Sequence, residues 1–491
     1  MPNVPDIRIQ KRNKAPELST GKYVLYWMIS ARRANYNFAL EHAANLAEEN
    51  GVGLLVLEAL RCDYKWASDR FHQFIIEGMR DNQESFEKAG VAYYPYVEES
   101  VGAGKGLLLE LAKQATAVVT DEFPCFFHPK MVATAAKKLD CPLYQVDGNG
   151  LYPLRATERV FTTAASFRRH LQKDIPKFLV NQPRAYPLRN RQLPPVQIPA
   201  KTRKKWPLLA KNLKLAALPI DHSVFPGAQK GGAKAARNTL NVFLADKLKH
   251  YGEMRNEPEK GGQSCLSPYL HFGHISSHQI FSDLMRLEGW TPEKLAPKAN
   301  GSRHGWWGVS QAAESFLDEL ITWREIGLNM CFLRSDYAKY QSLPGWAKVT
   351  LDEHAQDKRA YLYTRSQLEK ARTHDPLWNA AQNQLVRDGI IHNYLRMLWG
   401  KKILEWTKSP KLALKTMLDL NNKYALDGRN PNSYSGIFWV LGRYDRAWGP
   451  ERQIFGKIRY MSSQNTARKV KVKNYIKQYE SAAVQGELFK S

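Results

Sequence analysis

Between Tyr23 and about Gly150 five short apolar runs, "YVLYWMI", "GLLVLEAL", "VAYYPYV", "ATAVVT" and "PLYQV", alternate with stretches of helical spacing such as "NYNFALEHAANLAEEN". Apolar runs of this length read as strands, and apolar residues returning every three or four positions read as helices. Alternation of the two leaves few solutions: the strands lie parallel in one sheet and the helices cover its two faces. The ligand crevice of such a sheet is expected beyond the C-terminal ends of its strands. "VGAGKG" (101–106) lacks the spacing of a phosphate loop or of a Gly-x-Gly-x-x-Gly turn, and reads as an ordinary loop before a helix.

From about Arg237 onward strand signals nearly vanish. "AARNTLNVFLADKLKHY", "SFLDELITWREIGLNMC" and "QLVRDGIIHNYLRMLWGKKILEWT" predict a second, all-helical domain. Between the two, "NQPRAYPLRNRQLPPVQIPAKTRKKWP" is rich in proline and basic residues and predicts a long connection laid over the surface. The expected division is a flexible basic N-terminus at 1–22, an α/β domain at 23–150, a connector at 151–235, a helical domain at 236–482 and a tail at 483–491. A chain of 491 residues gives both domains enough length to bury a core.

Lys and Arg number 72 against 47 Asp and Glu, a formal net charge of +25. An excess of that size predicts a polyanionic partner, because basic side chains that neutralise phosphates release condensed counterions. Nucleic acid is preferred to a membrane surface, since no isolated basic amphipathic helix stands out. The first 22 residues carry no leader-like apolar core and no run is long enough to span a bilayer, so the chain is not expected to be secreted or membrane-bound. Cys62, Cys125, Cys141, Cys265 and Cys331 are odd in number and widely spread, which suggests neither a disulfide framework nor a metal site.

Several stretches of the helical half carry chemistry. In "SCLSPYLHFGHIS", Ser264 and Ser267 precede Pro268 and a helical run, a place for a helix cap or a phosphate seat. Glu319 and Trp323, four apart in "FLDELITWREIGLNM", share a helix face: an acid beside an aromatic platform. Trp399 and Trp406 are seven apart, two turns along one face, and Trp378 lies just upstream. On spacing alone that line is a core stripe, although closely spaced indoles also suit electron hopping. "YALDGRNPNSYSGIFW" (424–439) is turn chemistry running into an aromatic.

Taken together, "LSPYLHFG", "HDPLWNA", "HNYLRMLWGKKILEW", "YALDGRNPNSYSG", "RYDRAWG" and "FGKIRYM", in this order, closely resemble the class II cyclobutane pyrimidine dimer photolyases of the photolyase/cryptochrome superfamily. The likeness runs from Tyr23 to about Tyr479 and is strongest from Cys265 to Met461. It implies a Rossmann-like α/β antenna-type domain and an all-α domain holding FAD, active as FADH⁻. By the same resemblance Tyr251, Ser264, Cys265, Leu266 and Ser267 lie around the FAD phosphates and ribitol. Trp378-Asn379, Arg396, Asn421, Asp427 and Arg429 lie around the isoalloxazine, with Asn421 at flavin N5 and Arg396 paired to Asp427 over the ring. Trp378, Trp399 and Trp406 become the chain that photoreduces FAD. Glu319 stabilises the dimer radical anion, while Trp323, Met397 and Trp439 line the pocket for the flipped dimer. Arg446, Trp448, Lys457 and Arg459 enter the gap in the duplex and hold phosphates, and Arg255 and Asp445 form a polar pair of the pocket.

The implied activity is light-dependent DNA repair: an electron passes from excited FADH⁻ to the flipped pyrimidine dimer, the cyclobutane opens, and the electron returns. UV-damaged DNA, double- or single-stranded, is the expected partner of a monomeric enzyme, in the cytoplasm or nucleoid of a prokaryote or the nucleus of a eukaryote. A deazaflavin or a folate is the expected kind of antenna chromophore if one is bound. Two positions depart from the family pattern. Asn430 stands where an aspartate is expected, and the loop around Asp445 and Pro450 has an altered length. A cryptochrome-like blue-light photoreceptor is the alternative; the intact Glu319, Trp323 and Trp439 set and the lack of a long tail argue against it. A (6-4) photoproduct lyase needs a histidine pair where this chain has Asn393 and Met397.

Overall fold

The computed structural model describes residues 4–16 and 20–480; the expected tail at 483–491 lies outside them. The chain divides into two compact units. Met1–Glu158, Asp174–Asn241 and Cys265–Gly289 form the first; Arg159–Lys173, Val242–Ser264 and Trp290–Ser491 form the second.

The first unit is built on six strands: β1 (Ile9–Lys11), β2 (Tyr23–Met28), β3 (Gly53–Leu60), β4 (Ala92–Val97), β5 (Ala115–Asp121) and β6 (Leu143–Val146). Their order is β1-β6-β5-β2-β3-β4. The five predicted strands pair in parallel, with Tyr23 opposite Gly53 and Leu55 opposite Ala92. Every residue of β2 is buried. Period-two alternation sends Tyr23, Leu25 and Trp27 to one face, and Val24, Tyr26 and Met28 to the other, against the alanines of helix α1 (Phe38–Glu49). Burial of each large apolar side chain contributes roughly 1.5–3 kcal/mol, which is why these runs could be read without ambiguity.

The expectation of a flexible terminus at 1–22 fails for its described residues around β1. Ile9–Lys11 pairs antiparallel with β6, and Arg8 is 1% exposed, donating to the carbonyls of Asp147 and Leu151 at 3.2 and 2.8 Å. Within "IRIQK" the last three residues are an edge strand held by the buried arginine before them, and nothing in their hydropathy announces this. The proline-rich stretch after 151 is likewise packed in part. The Leu209 amide donates to Pro95 on the edge strand β4 at 2.9 Å, and Trp206, 3% exposed, joins the sheet core. Backbone laid along an edge strand satisfies groups that would otherwise invite another chain. "KTRKK" forms most of a short helix, Ala200–Lys205, with its lysines exposed.

The sheet's order reverses between β2 and β5, where such folds commonly bind ligands. There the Asp121 carboxylate accepts from the amides of Ile29, Ser30 and Ala31 at 2.8, 2.8 and 2.9 Å, and from the Tyr26 hydroxyl at 2.6 Å. The 101–106 segment is a loop before helix Leu107–Ala112, as predicted. The Gly104 amide is already engaged within the protein, donating to the Glu98 carboxylate at 3.0 Å.

Among the described residues the second unit is helical apart from isolated bridges. Three of its helices begin with a capping residue followed by proline. Asp375 accepts from the Trp378 amide at 3.0 Å, Ser409 from Leu412 at 3.3 Å and Asn430 from Asn432 at 2.9 Å, with Pro376, Pro410 and Pro431 next in line. Proline loses nothing at that position, because its missing N–H would have had no helical partner. These caps set the starts of Pro376–Asp388, Pro410–Tyr424 and Pro431–Val440.

Helix Pro431–Val440 is seated against two others through glycines. A Cβ on Gly327, in Arg324–Leu333, would lie 2.6 Å from Ser435 Oγ and 2.7 Å from the Pro431 carbonyl oxygen. One on Gly400, in Asn393–Trp406, would lie 2.5 Å from a Val440 methyl. No helix among the described residues is long and apolar enough to cross a membrane.

Candidate functional site

The turn after Pro410–Tyr424 folds back onto the end of its own helix. The Arg429 amide donates to Asn422 Oδ1 at 2.9 Å and its guanidinium to the Asn422 carbonyl at 2.6 Å. Arg429 holds φ +60°, a left-handed conformation that non-glycine residues adopt only under tight local constraint. Asn421, 1% exposed, donates to Ser433 Oγ at 2.7 Å across the turn. Arg396, reaching over from Asn393–Trp406, places its terminal nitrogen 3.0 and 3.3 Å from the Asp427 carboxylate oxygens. Asn421, Arg396, Asp427 and Arg429 are thus gathered by one fold of chain. Asn430 closes it as the cap of the next helix, which gives the departure from aspartate a structural role.

The three tryptophans are among the largest fully enclosed side chains, at 0%, 2% and 2% exposure for Trp378, Trp399 and Trp406. They do not simply line one helix face. Trp378 comes from the neighbouring helix and bridges the other two: its indole N–H donates to the Trp399 carbonyl at 3.0 Å, and its ring meets Trp406 at 5.6 Å. The Trp399 N–H donates to Gln382 Oε1 at 2.8 Å. Beyond Trp406 the ring contacts continue through Tyr363 at 5.5 Å and His374 at 5.2 Å to Tyr361, which stacks on His374 at 3.8 Å and is 49% exposed. Sequence reasoning missed these three. "YLYT" and the histidine of "HDPLW" were the available signals, but only the fold brings them beside Trp406.

Asp318–Trp323 is a π-helical insertion between Gln311–Leu317 and Arg324–Leu333. Wider turns of this kind re-aim side chains and are frequent at functional sites. Within it Asp318 turns to a buried pair with Arg168 at 2.7 Å, while Glu319 meets Arg255 at 2.6 Å. About 30% of the Glu319 side chain reaches solvent. Even so, the surrounding protein pushes its carboxyl above the usual carboxylate range, with Arg255 pulling the other way. Burial also raises the Tyr251 phenol, helped by the Glu319 charge. Trp323 is half-buried at the end of the insertion.

The fourth group centres on Asp445. Its carboxylate accepts from Arg459 at 2.9 and 3.2 Å, from the Trp448 indole at 3.2 Å and from the Arg446 amide at 2.9 Å. Burial raises this carboxyl, but the Arg459, Arg446 and Trp448 donors prevail and hold it below its ordinary value. The Arg459 guanidinium lies 3.9 Å over Trp448 and 5.6 Å from the Trp439 ring, and Arg446 lies 4.7 Å over Trp448 from its other, exposed position. The Trp448 amide donates to the Lys457 carbonyl at 2.9 Å, which sets the two limbs of the loop side by side. Four residues named from sequence, Trp439, Arg446, Trp448 and Arg459, are one connected cluster. Lys457 joins through its backbone while its ammonium pairs with Glu451 at 3.0 Å.

Other residues named from sequence take different partners. Arg255 and Asp445 do not bond each other: the first is committed to Glu319 and the second to Arg459. The Asn379 amide is held by Thr373, donating to its carbonyl at 2.9 Å and accepting from its hydroxyl at 2.7 Å. Ser264 closes a segment of the second unit, whereas Cys265, Leu266 and Ser267 open one of the first. Ser267 is the first residue of a helix of only six, Ser267–Phe272, whose cap position is Leu266, so neither serine is its N-cap. Cys265 holds φ +57°. Met397 is half-buried beside Arg396 on the same helix.

No family model matches the chain. It is 36% identical over 473 residues to the deoxyribodipyrimidine photo-lyase of Methanothermobacter thermautotrophicus, covering 96% of this chain and 97% of that protein. It is 32% identical over 493 residues to that of Arabidopsis thaliana, with coverage of 97% and 92%. The marsupial Potorous tridactylus protein of the same name is 32% identical over 458 residues, with coverage of 92% and 80%. Among solved structures the fold matches a class III photolyase from Agrobacterium tumefaciens with TM-score 0.66 at 18% identity, covering 95% of this chain and 88% of that one. A Synechocystis cryptochrome matches with TM-score 0.68 at 14% identity, covering 93% and 88%. Likeness over nearly the whole length of several photo-lyases, carried on the same two-part architecture, places this chain in the deoxyribodipyrimidine photo-lyase family of the photolyase/cryptochrome superfamily.

Proposed function

We propose that this carbon–carbon lyase is a class II enzyme that repairs cyclobutane pyrimidine dimers in UV-damaged DNA with light. The observation that carries the reading is the Asp445-centred cluster. It presents two indoles and two guanidiniums, fixed on one another, beside an exposed basic loop. Aromatic faces against cations suit a splayed-out base and the phosphates that flank it.

FAD is the cofactor the family implies, and the residues present fit its polar edge. Arg396 Nε is buried without an acceptor among the described residues, although its terminal nitrogen is paired to Asp427. A buried cationic donor in that state suits an anionic or carbonyl group of a ligand. When bound, FAD would supply the light-driven electron for opening the cyclobutane. Arg396 with Asp427 would hold the ring and Asn421, oriented by Ser433, would face its N5 edge. Tyr251 and Ser264 belong to the stretch that would take the ribitol and phosphates. Glu319, held by Arg255 and with burial favouring its neutral form, would stabilise by hydrogen bonding a carbonyl gaining negative charge. Trp439 and Trp323 would wall the pocket, and Arg446, Lys457 and Arg459 would hold phosphates.

Illuminating the reduced protein with a dimer-containing oligonucleotide tests this directly. Recovery of pyrimidine absorbance is expected in the light and not in the dark; its absence with the cofactor fully reduced defeats the reading.

A further inference from the structure

Beneath Trp439 lies a lysine to which no role has been given. Lys401, on Asn393–Trp406, is 0% exposed. Its ammonium donates to the Val440 carbonyl at 2.6 Å, at the last residue of the helix that carries Trp439, and sits 4.9 Å from the Trp439 ring centroid. A cation at that end of a helix meets the negative pole of its peptide dipoles, and a cation over an indole meets the negative face of the ring. The contact is enforced from behind, because Gly400, the preceding residue, allows the two helices to approach until no Cβ would fit beside Val440. Arg459, bonded to Asp445, lies by the same indole.

We propose that Lys401 is a positioning residue for the dimer pocket: its buried ammonium fixes the Trp439 indole and the end of its helix, so that its charge state sets how well the pocket receives a flipped pyrimidine dimer. The proposal rests on the repair reading for its purpose, not for its geometry. The charged groups that bear on Lys401 are Asp445, which favours its protonated form, and Arg459, which opposes it; burial, with Arg459 acting the same way, outweighs Asp445 and brings the ammonium down to about 7. Its protonation is therefore divided near neutrality, where one charge in or out of the space beneath Trp439 matters most. As the pH rises through that value the Lys401 cation is lost, the indole keeps only Arg459 beside it, and dimer binding weakens. A polyanionic duplex nearby favours the charged form and so tightens the arrangement it binds.

The test uses full-length protein in which tryptophan is replaced by 5-fluorotryptophan, the Trp439 resonance being identified by its loss in Trp439→Phe. In DNA-free protein that resonance is expected to titrate between pH 6 and 8 (about 7 for Lys401), and to stop titrating in Lys401→Met. Affinity for a dimer-containing duplex relative to undamaged duplex is expected to fall about tenfold in Lys401→Met at pH 6.5, with the flavin absorption spectrum unchanged as evidence of an intact fold. A Trp439 resonance indifferent to Lys401, or an unaltered dimer preference in Lys401→Met, overturns the proposal. Lack of dimer preference in the unsubstituted chain overturns the repair reading instead, and the fluorine titration tells the two failures apart.

Discussion

Trp378 stands edge-on to Trp406, ring centroids 5.6 Å apart and planes at 70°, while its indole N–H is bonded to the Trp399 carbonyl. The three indoles are therefore held by one another's atoms and not merely by the surrounding core. On the repair reading, Trp399→Phe blocks photoreduction of oxidised FAD, while enzyme reduced chemically beforehand still repairs. Loss of the bond to Gln382 leaves a buried acceptor unpaired, at about 1–3 kcal/mol. A lower melting temperature with repair retained is the expected pair of results, and loss of both activities would assign Trp399 to folding alone.

Arg446 is exposed and stacked on Trp448, and on the repair reading it holds a phosphate of the duplex. Arg446→Ala should weaken binding to damaged and undamaged duplex alike. The slope of log affinity against log salt should fall in magnitude by about 0.9. A titration series in salt measures it; an unchanged slope places Arg446 off the DNA.

Asn430 bonds the amide of Asn432 through its side chain at the start of Pro431–Val440. Asparagine and aspartate cap equally well, and the carboxylate adds a favourable interaction with the helix dipole of about 0.3–1 kcal/mol. Asn430→Asp should therefore hold or raise the melting temperature, whereas Asn430→Ala should cost about 1 kcal/mol. Denaturant unfolding of the two variants checks the sign.

Gly327→Ala introduces a methyl 2.6 Å from Ser435 Oγ and 2.7 Å from the Pro431 carbonyl oxygen. The backbone oxygen cannot swing aside, so helix Pro431–Val440 must shift, at a cost of about 1–3 kcal/mol. Gly436, with nothing near its added Cβ, is the control on the same helix; Gly436→Ala should be neutral or stabilising.

Lys401 also links stability to pH. Folding lowers its ammonium to about 7 from the ordinary 10.5, so between these values the unfolded chain binds more protons and stability rises with pH. Below about 7 the folded state bears the full cost of enclosing a charge. Lys401→Met removes that cost, so its melting-temperature advantage over the unsubstituted protein should be largest at pH 6 and shrink through pH 9.5. A constant difference across the range would mean that the lysine does not change protonation there.

The parallel sheet was legible because its strands are buried along nearly their whole length, so hydropathy alone marks them, and the apolar runs match the observed strands to within a residue or so. β1 was not, because a three-residue edge strand of polar sequence is held by what Arg8 touches and not by its own apolarity. Helical spacing also cannot say which core a helix joins. Cys265–Gly289 reads as part of the helical half, yet Tyr269 and Phe272 pack on Phe74 of Asp69–Lys88, at 5.4 and 5.1 Å, within the first unit.

Site residues were legible to the degree that they share a short stretch of chain. Asn421, Asp427 and Arg429 fall in one turn, and Arg396 is drawn to it as the resemblance implied. Asp318 and Glu319 were placed on an ordinary helix, whereas a π-helical insertion, which leaves no mark in residue type, turns them to different partners. The lysines of "WGKKILEW" drew no reading from sequence, and Lys401 and Lys402 are 0% and 6% exposed. Only the neighbouring helix, with its terminal carbonyl and its indole, explains how a lysine can lie there.

Where the sheet order reverses, three successive amides converge as they would on a phosphate, but they converge on Asp121. The chain places one of its own side chains where nucleotide-binding sheets receive a group from outside. A phosphorylated metabolite entering there would find those amides already engaged. Any molecule held at that crevice must be one that asks nothing of those three amides.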